Sequence, residues 1–304
     1  MKMPKTLIWT LGITIITMSC KKEFVIEPYY PQEMPIIIEG NIATDKPPVV
    51  TLSLPNPAFD TIKPEDIQFV HNAKVLAIRE NTDTILLVEY NKDTLTGLLW
   101  QLFNSMLAIH FTGIETPLYF YSVPRDRIVT GQPGESWKFV IYANKQIYQT
   151  TVKIPQSPYP LDSIIPIPQQ GRYYMIAFFR DPPGSQDYGI YYTKYLNLPF
   201  CMGRYWSDRT IDGKRWAWKI TPGTCADRAH ETAPELFYSE DKVEIAWCRL
   251  DKESYDYLKE LDNADDALDN PFDYPTLPTG NMSTTTSIGH VFALNCQYYY
   301  FDLP

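Results

Sequence analysis

The sequence has few of the residues on which metal centres and nucleic-acid surfaces depend. Only four of its 304 residues are His, and these are widely separated, which disfavours a His-based metal site. The formal net charge is −9, so a broad basic surface for nucleic acid is disfavoured as well. We therefore expect no metal, no cofactor and no nucleic-acid partner.

The sequence also lacks the short motifs that identify common catalytic sites. It contains no G-x-S-x-G, H-E-x-x-H, G-x-x-x-x-G-K-[ST] or G-x-G-x-x-G pattern. An acidic run from 262 to 273 has Ala267 where a calcium-binding EF-hand loop needs Gly. These absences predict a non-enzymatic protein. A hydrolase with an unrecognised site remains an alternative, because the separation of paired carboxylates is spatial and does not show in a sequence.

The chain does have enough apolar residues for a core, together with many prolines. Hydrophobic residues make up 44% and charged residues 21%, which is typical of a folded chain rather than a disordered one. The 26 Pro residues, without a long Ala/Glu/Lys/Leu run, exclude a coiled coil or a helical repeat array.

Apolar residues alternate with polar ones along most of the chain, which predicts β-strands. Residues 50–54 show this pattern, and in 137–154 two alternating stretches flank the tight turn at 143–145. Roughly seven such strands before position 155 are typical of an immunoglobulin-like sandwich. One helix is predicted to begin after Asp251, which can cap it, and to end before Pro271.

These patterns predict a mainly β protein with two β-rich domains. Five Pro residues between 155 and 171 make that segment a poor central strand and the predicted junction. The predicted organisation is a signal peptide at 1–19, a lipidated tether at 20–33, an immunoglobulin-like β-sandwich at 34–155, a Pro-rich junction at 156–171, and a second antiparallel β domain with one short helix at 172–304.

The N-terminus has the layout of a secretory signal. Lys2 and Lys5 precede an apolar stretch of about 13 residues, which is too short to span a hydrocarbon core of about 30 Å. Residues 18–20 (MSC) resemble the lipobox of bacterial lipoproteins, in which the Cys is acylated and becomes the mature N-terminus; Thr17 replaces the usual Leu. Cys20 is therefore the predicted lipidation site and membrane anchor. A plain secretory signal is the alternative.

The other four cysteines all lie in the second half of the chain. An even number in an exported protein indicates disulfides, and four Cys allow three connectivities. Local closure favours the pairs Cys201–Cys225 and Cys248–Cys296, and buried free thiols are the alternative. The wide spacing, without C-x-x-C, disfavours zinc.

The segment from 204 to 218 contains the candidate binding surface. It combines aromatic and basic side chains, which stack on sugars, hold peptide side chains or dock partner proteins. The alternation of Trp216 and Trp218 equally fits packing on one face of a sheet. Trp206 lies outside any clean alternation, so it is the aromatic residue least expected in the core. The candidate ligand- or partner-binding residues are Tyr205, Trp206, Arg209, Trp216 and Trp218.

Several short motifs follow one another in a distinctive order. They are residues 35–40 (PIIIEG), 131–139 (GQPGESWKF), 181–184 (DPPG) with Tyr188 after it, and 254–257 (SYDY) leading to 270–272 (NPF). Together with Cys20, this order resembles the domain of unknown function 4249 family, lipoproteins of the Bacteroidetes type.

The resemblance implies an outer-membrane lipoprotein, facing the cell exterior, that works with a SusC-like TonB-dependent transporter. Its expected role is a ligand-capturing or lid subunit for an unknown small ligand, a peptide or a glycan. The resemblance implies no catalytic residue. A structural or adhesive envelope lipoprotein is the alternative function.

Overall fold

The computed structural model describes most of the chain after position 34. Two residues predicted as sites, Cys20 and Cys225, lie outside the described residues. Residues 34–304 form one compact unit. The described residues are 35–55, 67–97, 100–101, 118–195, 199–223, 236–238, 240–268, 278–283 and 287–304.

The first seven strands form one side of a large sheet. Their order in that sheet is β1-β2-β5-β4-β3-β6-β7. They enclose an apolar core of Ile, Val, Leu and aromatic side chains, which agrees with the predicted sandwich. The strands are β1 (Ile36–Ala43), β2 (Val49–Ser53), β3 (Lys74–Arg79), β4 (Asp83–Asn91), β5 (Tyr119–Ser122), β6 (Ser136–Ala143) and β7 (Gln146–Lys153).

The predicted hairpin at 137–154 is confirmed as β6 and β7. Alternate residues of β7, Tyr148, Thr150 and Val152, are buried. The turn residues Asn144 and Lys145 both have positive φ angles, 49° and 60°. A turn with two consecutive positive φ angles has a backbone twist that matches the right-handed twist of the flanking strands. This explains why so short a turn closes the hairpin.

In the described residues, the second half adds strands beside β1 of the large sheet, a second small sheet and one α-helix. Helix α1 (Lys252–Leu268) begins where predicted, and the Ser254 amide donates to Oδ1 of Asp251 at 2.7 Å, a helix cap. No described helix is long and apolar enough to cross a membrane. The strands are β8 (Ser163–Gln169), β9 (Arg172–Arg180), β10 (Tyr188–Lys194), β11 (Cys201–Ser207), β12 (Arg215–Ile220), β13 (Phe237–Tyr238), β14 (Lys242–Leu250), β15 (Ser287–Ile288) and β16 (Val291–Asp302).

The last strand joins the two halves of the chain. β16 pairs in parallel with β1 and antiparallel with β14, so the large sheet continues as β1-β16-β14-β10-β11. The sequence separates these strands into domains at 34–155 and 172–304, whereas the structure links them by hydrogen bonds. Cys248 of β14 and Cys296 of β16 lie opposite each other and form a disulfide.

A second sheet of four strands is built from the predicted junction and the predicted second domain. β9 is its centre, with β8 along one side and with β12 and β13 along the other. β8 contains Pro166 and Pro168 and is an edge strand in the described part of the sheet. Proline donates no ladder hydrogen bond, so it is tolerated at an edge, and the predicted Pro-rich junction thus contains a strand.

Candidate functional site

The predicted exposure of Trp206 is wrong. Trp206 is 5% exposed and packs against two other Trp rings, with centroid distances of 4.5 Å to Trp247 and 5.5 Å to Trp218. β11 alternates, so Trp206 faces the core formed with the four-stranded sheet. Its neighbour Tyr205 faces the other side.

Gly189 makes room for this indole. A Cβ atom at position 189 would lie 2.1 Å from Cζ2 of Trp206, closer than any van der Waals contact allows. Gly189 is opposite Trp206 in the pairing of β10 with β11. The sequence shows a Gly after Tyr188, but only the pairing shows that the Gly accommodates a cross-strand Trp.

The other predicted aromatic and basic residues differ in exposure and in the elements that they contact. The Tyr205 hydroxyl donates to the carboxylate of Asp262, and the Tyr205 ring meets Tyr255 edge-on at 5.5 Å, so Tyr205 holds α1 against β11. Arg209 is exposed after β11. Trp216 is 44% exposed at the side of the small sheet, whereas Trp218 is half-buried. Whether any of these residues binds a ligand stays a prediction.

Three buried aspartates form a cluster that the sequence analysis missed. Asp181, Asp187 and Asp208 each place a carboxylate oxygen within 4.8 Å of the others. Tyr159 Oη donates to the Asp181 carboxylate at 2.8 Å, and the Gly213 amide donates to the same carboxylate at 3.2 Å. Asp181 opens the DPPG motif, so this motif positions a buried acceptor between two loops.

The remaining contacts tie the cluster together. The Asp187 amide donates to Asp208 at 2.8 Å, and Ser185 Oγ donates to the Asp187 carboxylate at 2.8 Å. The Arg249 guanidinium lies 3.5 Å from Asp187. Burial, followed by the charges of neighbouring carboxylates, raises the pKa of Asp208. Oxygen ligands suit Ca²⁺ or Mg²⁺, but each carboxylate here already accepts a hydrogen bond, so we assign the cluster to holding the β9–β10 and β11–β12 loops.

Replacing Asp181 by alanine is expected to destabilise the protein by about 1–3 kcal/mol, because the buried hydroxyl of Tyr159 loses its acceptor. Asp181→Asn keeps a carbonyl acceptor and should cost less. The free energy of unfolding in urea measures both. Tyr159→Phe combined with Asp181→Ala should cost less than the sum of the single changes, and strict additivity would contradict the pairing.

A buried Ser–His pair lies beneath α1. Ser254 Oγ is 2.9 Å from Nε2 of His290, an arrangement also found in nucleophilic catalysis. Both side chains are fully enclosed, and the His290 ring stacks on Tyr257 at 4.8 Å. Burial lowers the pKa of His290 to about 3, so the imidazole is neutral at neutral pH. A substrate has no access to a pair enclosed in this way, so we assign it to the packing of α1 on the sheet.

A surface cavity of 430 Å³ lies between the β6–β7 turn and the segment before β3. Its lining includes the side chains of His71, Asn72, Tyr142, Asn144 and Lys145. Lys74 lies over the Tyr142 ring at 5.3 Å. The volume falls in the range of small-molecule sites. None of the described residues that line this cavity has a carboxylate, and the lining combines an aromatic ring, amides and basic groups.

Glu89 positions the imidazole of His71. His71 Nδ1 is 2.6 Å from one Glu89 oxygen, and the Asn72 amide and Tyr121 Oη donate to the other at 2.8 and 2.9 Å. Partial burial works to raise the pKa of Glu89, but these hydrogen bonds outweigh burial and hold the pKa below its ordinary value. Tyr119 packs edge-on against the His71 ring at 4.4 Å. The ring is therefore held in one orientation at the cavity.

This cavity is not visible in the sequence, because its two sides are about 70 residues apart in the chain. The detectable signal was the turn at 143–145, which places amides and a Lys at one end of the hairpin.

The chain matches a known protein family. The sequence model of a family described as domain of unknown function (DUF4249) matches residues 21–295. This range includes the cavity, the aspartate cluster and most of the residues predicted as sites. No curated protein matches the chain.

Proposed function

Since this chain belongs to the DUF4249 family, we propose that it is a non-enzymatic lipoprotein anchored in the outer membrane through Cys20 and facing the cell exterior. In this proposal it works with a SusC-like TonB-dependent transporter as a ligand-capturing or lid subunit. The signal-like N-terminus ending in Ser19-Cys20 supports the anchor. The order of the family motifs supports the partnership.

The cavity beside the β6–β7 turn is the observation that carries ligand capture. Its volume suits a monosaccharide or a short peptide segment, and its amides and aromatic ring suit sugar hydroxyls and peptide groups. Tyr142 is exposed at the cavity, and the Glu89 contact holds the His71 ring in place. A positioned ring and a rigid hairpin reduce the entropy lost on binding.

Co-purification tests the partnership. The chain, tagged at its C-terminus and expressed with its native neighbours, is expected to bring down a large TonB-dependent barrel from detergent-solubilised outer membranes. The Cys20→Ser variant should fail to fractionate with the outer membrane and should carry no lipid by mass spectrometry. Retention of lipid by this variant would refute the anchor, and recovery of the wild type without a barrel would refute the partnership.

Ligand capture is tested on a glycan array and a peptide library. We expect one class of probe to bind, and Tyr142→Ala to weaken that binding by at least about tenfold. Tyr300→Ala is the matched control, because Tyr300 is exposed on β16 and is not part of the cavity lining. If both variants weakened binding equally, or if neither glycans nor peptides bound, the cavity would not be the ligand-binding site.

A further inference from the structure

One face of the four-stranded sheet is exposed and carries apolar and basic side chains. Phe178 of β9 is paired with Ser163 of β8 and Ala217 of β12. Side chains alternate along a strand, so this face is opposite to the buried residues Met175 and Ala177. We call it the outer face. It comprises every second residue of β9 counted from Phe178, together with the residues of β8, β12 and β13 that pair with these positions.

The outer face presents large apolar side chains to solvent. Ile165, Phe178 and Tyr238 are 45%, 37% and 46% exposed, respectively. Along β9 the opposite face of the same sheet is buried, since Met175, Ala177 and Phe179 are at most 1% exposed there. An exposed group of this kind on one face of a sheet marks an interaction surface.

The charges of this face are all positive. Arg172, Arg180, Arg215 and Lys219 are exposed on it, and its described positions include no Asp or Glu. None of these four cations has a salt bridge within the described part of the chain. In a chain of net charge −9 this is a local inversion of sign. A negatively charged partner therefore complements the face.

Two of the cations are held against aromatic rings. The Arg172 guanidinium lies 4.6 Å from the Tyr238 ring centre, and the Lys219 ammonium lies 4.9 Å from that of Tyr174. These contacts place positive charge directly beside apolar surface. Cations interleaved with aromatic and aliphatic side chains are the combination that proteins present to the headgroup region of a membrane.

The edge of the sheet does not offer an alternative mode of docking at β8. Pro166 and Pro168 remove backbone donors from this strand, which disfavours the addition of a partner strand there. A partner on this side of the sheet therefore contacts side chains of the face.

We propose that the outer face docks on an anionic membrane surface. Arg172, Arg180, Arg215 and Lys219 contact lipid phosphates, while Ile165, Phe178 and Tyr238 lie at the headgroup level. This goes beyond the proposed function, because it requires neither a transporter nor a captured ligand. It adds a second, electrostatic contact, and stable membrane attachment is favoured by two such signals.

Vesicle sedimentation tests the proposal without the lipid anchor. Residues 34–304 form a compact unit, so the protein used is the chain from position 20 onward with Cys20→Ser. It is expected to bind vesicles of phosphatidylglycerol and phosphatidylcholine in equal parts, to release with rising salt, and to ignore vesicles of phosphatidylcholine alone.

Two charge-matched variants separate the outer face from net charge. Changing Arg172, Arg180, Arg215 and Lys219 to Gln should weaken binding to the anionic vesicles by at least about tenfold. Changing four exposed cations elsewhere, Arg125, Lys153, Arg204 and Lys259, to Gln should change it by less than about threefold. Circular dichroism confirms that both variants are folded.

Three outcomes would overturn the proposal. The first is the absence of binding to anionic vesicles, and the second is equal weakening by the two variants. The third is displacement by inorganic phosphate beyond that caused by sodium chloride of the same ionic strength, because it would indicate a site for a phosphate ion. The double variant Ile165→Ser and Phe178→Ser should also weaken binding, since the apolar contact is lost.

Discussion

Replacing Trp206 by alanine is expected to destabilise the protein by about 3–5 kcal/mol. The ring lies at the centre of an aromatic cluster in which Tyr159, Phe179, Trp218 and Trp247 all approach it within 6.3 Å between centroids. Removing the indole leaves a cavity that these rigid rings cannot fill without moving two sheets. The free energy of unfolding in urea is the measurement. Its dependence on urea concentration should be the same in the variant and the wild type if both unfold in a two-state transition.

Trp216→Ala is the matched control for this prediction. Trp216 is 44% exposed, so its removal should cost less than about 1 kcal/mol. Gly189→Ala gives an independent check, because the added methyl group strikes the Trp206 ring. Gly189→Ala should be destabilising alone and much less so in a Trp206→Ala background. Equal losses for Trp206→Ala and Trp216→Ala would contradict the position of Trp206 in the core.

The contribution of Glu39 to stability is expected to fall as the pH rises from about 4.5 to about 8. This residue of β1 is 4% exposed, and burial raises the pKa of its carboxyl from 4.5 to about 8. Between these values the unfolded chain has lost the proton that the folded chain retains. The contribution of Glu39 to the free energy of unfolding therefore falls with pH, by up to about 5 kcal/mol in total, and levels off above pH 8.

Glu39→Gln removes this titration and keeps the size of the side chain. The variant and the wild type should be most alike near pH 4, and the variant should become the more stable of the two by several kcal/mol near pH 9. Glu240→Gln is the control, because Glu240 is exposed on a turn, and its curve should run parallel to the wild type. A constant difference between Glu39→Gln and the wild type from pH 4 to 9 would rule out a buried, protonated Glu39.

His290 contributes with the opposite sign at acid pH. Burial lowers the pKa of its imidazole from 6.5 to about 3. Between these pH values the unfolded chain binds a proton at His290 and the folded chain does not. The stability that His290 contributes is present above pH 6.5 and is lost as the pH falls from about 6.5 to about 3. Between about pH 4.5 and 6.5 the contributions of Glu39 and His290 therefore oppose each other, and between about pH 6.5 and 8 only the loss from Glu39 remains.

Ligand capture and membrane docking can be tested separately. The cavity belongs to the hairpin of β6 and β7 in the large sheet, and the outer face belongs to the four-stranded sheet. The two sets of residues belong to different sheets, so the effects of their variants should add. A variant that lost both activities would point to unfolding.

Local pattern was sufficient for many elements of the fold. The alternation in 146–153 predicts β7, and Asp251 with the apolar stripe after it predicts α1. Both rest on contacts between residues close in sequence, such as the cap from Asp251 to Ser254 and the two-residue turn of the hairpin. The mainly β class follows from the same periodicity.

The candidate sites were not predictable in this way. Trp206 and Glu39 lie in strands whose sequences show no clean alternation, and which of the two faces becomes core depends on the strands beside them. Gly189 across from Trp206, and the parallel pairing of β1 with β16 about 250 residues later, decide this. A shift of register by one residue would exchange the buried and exposed sets.

The sequence by itself determined the mainly β class, the position of α1, the hairpin at 137–154 and the motifs of the family. Only the tertiary structure decided that Trp206 is core, that Asp181, Asp187 and Asp208 meet, and that one sheet face is basic and apolar. The physical reason is the separation along the chain over which each kind of interaction acts. Propensity, capping and turn geometry act over a few residues, whereas burial and charge neighbourhoods are created by strands paired across the whole chain.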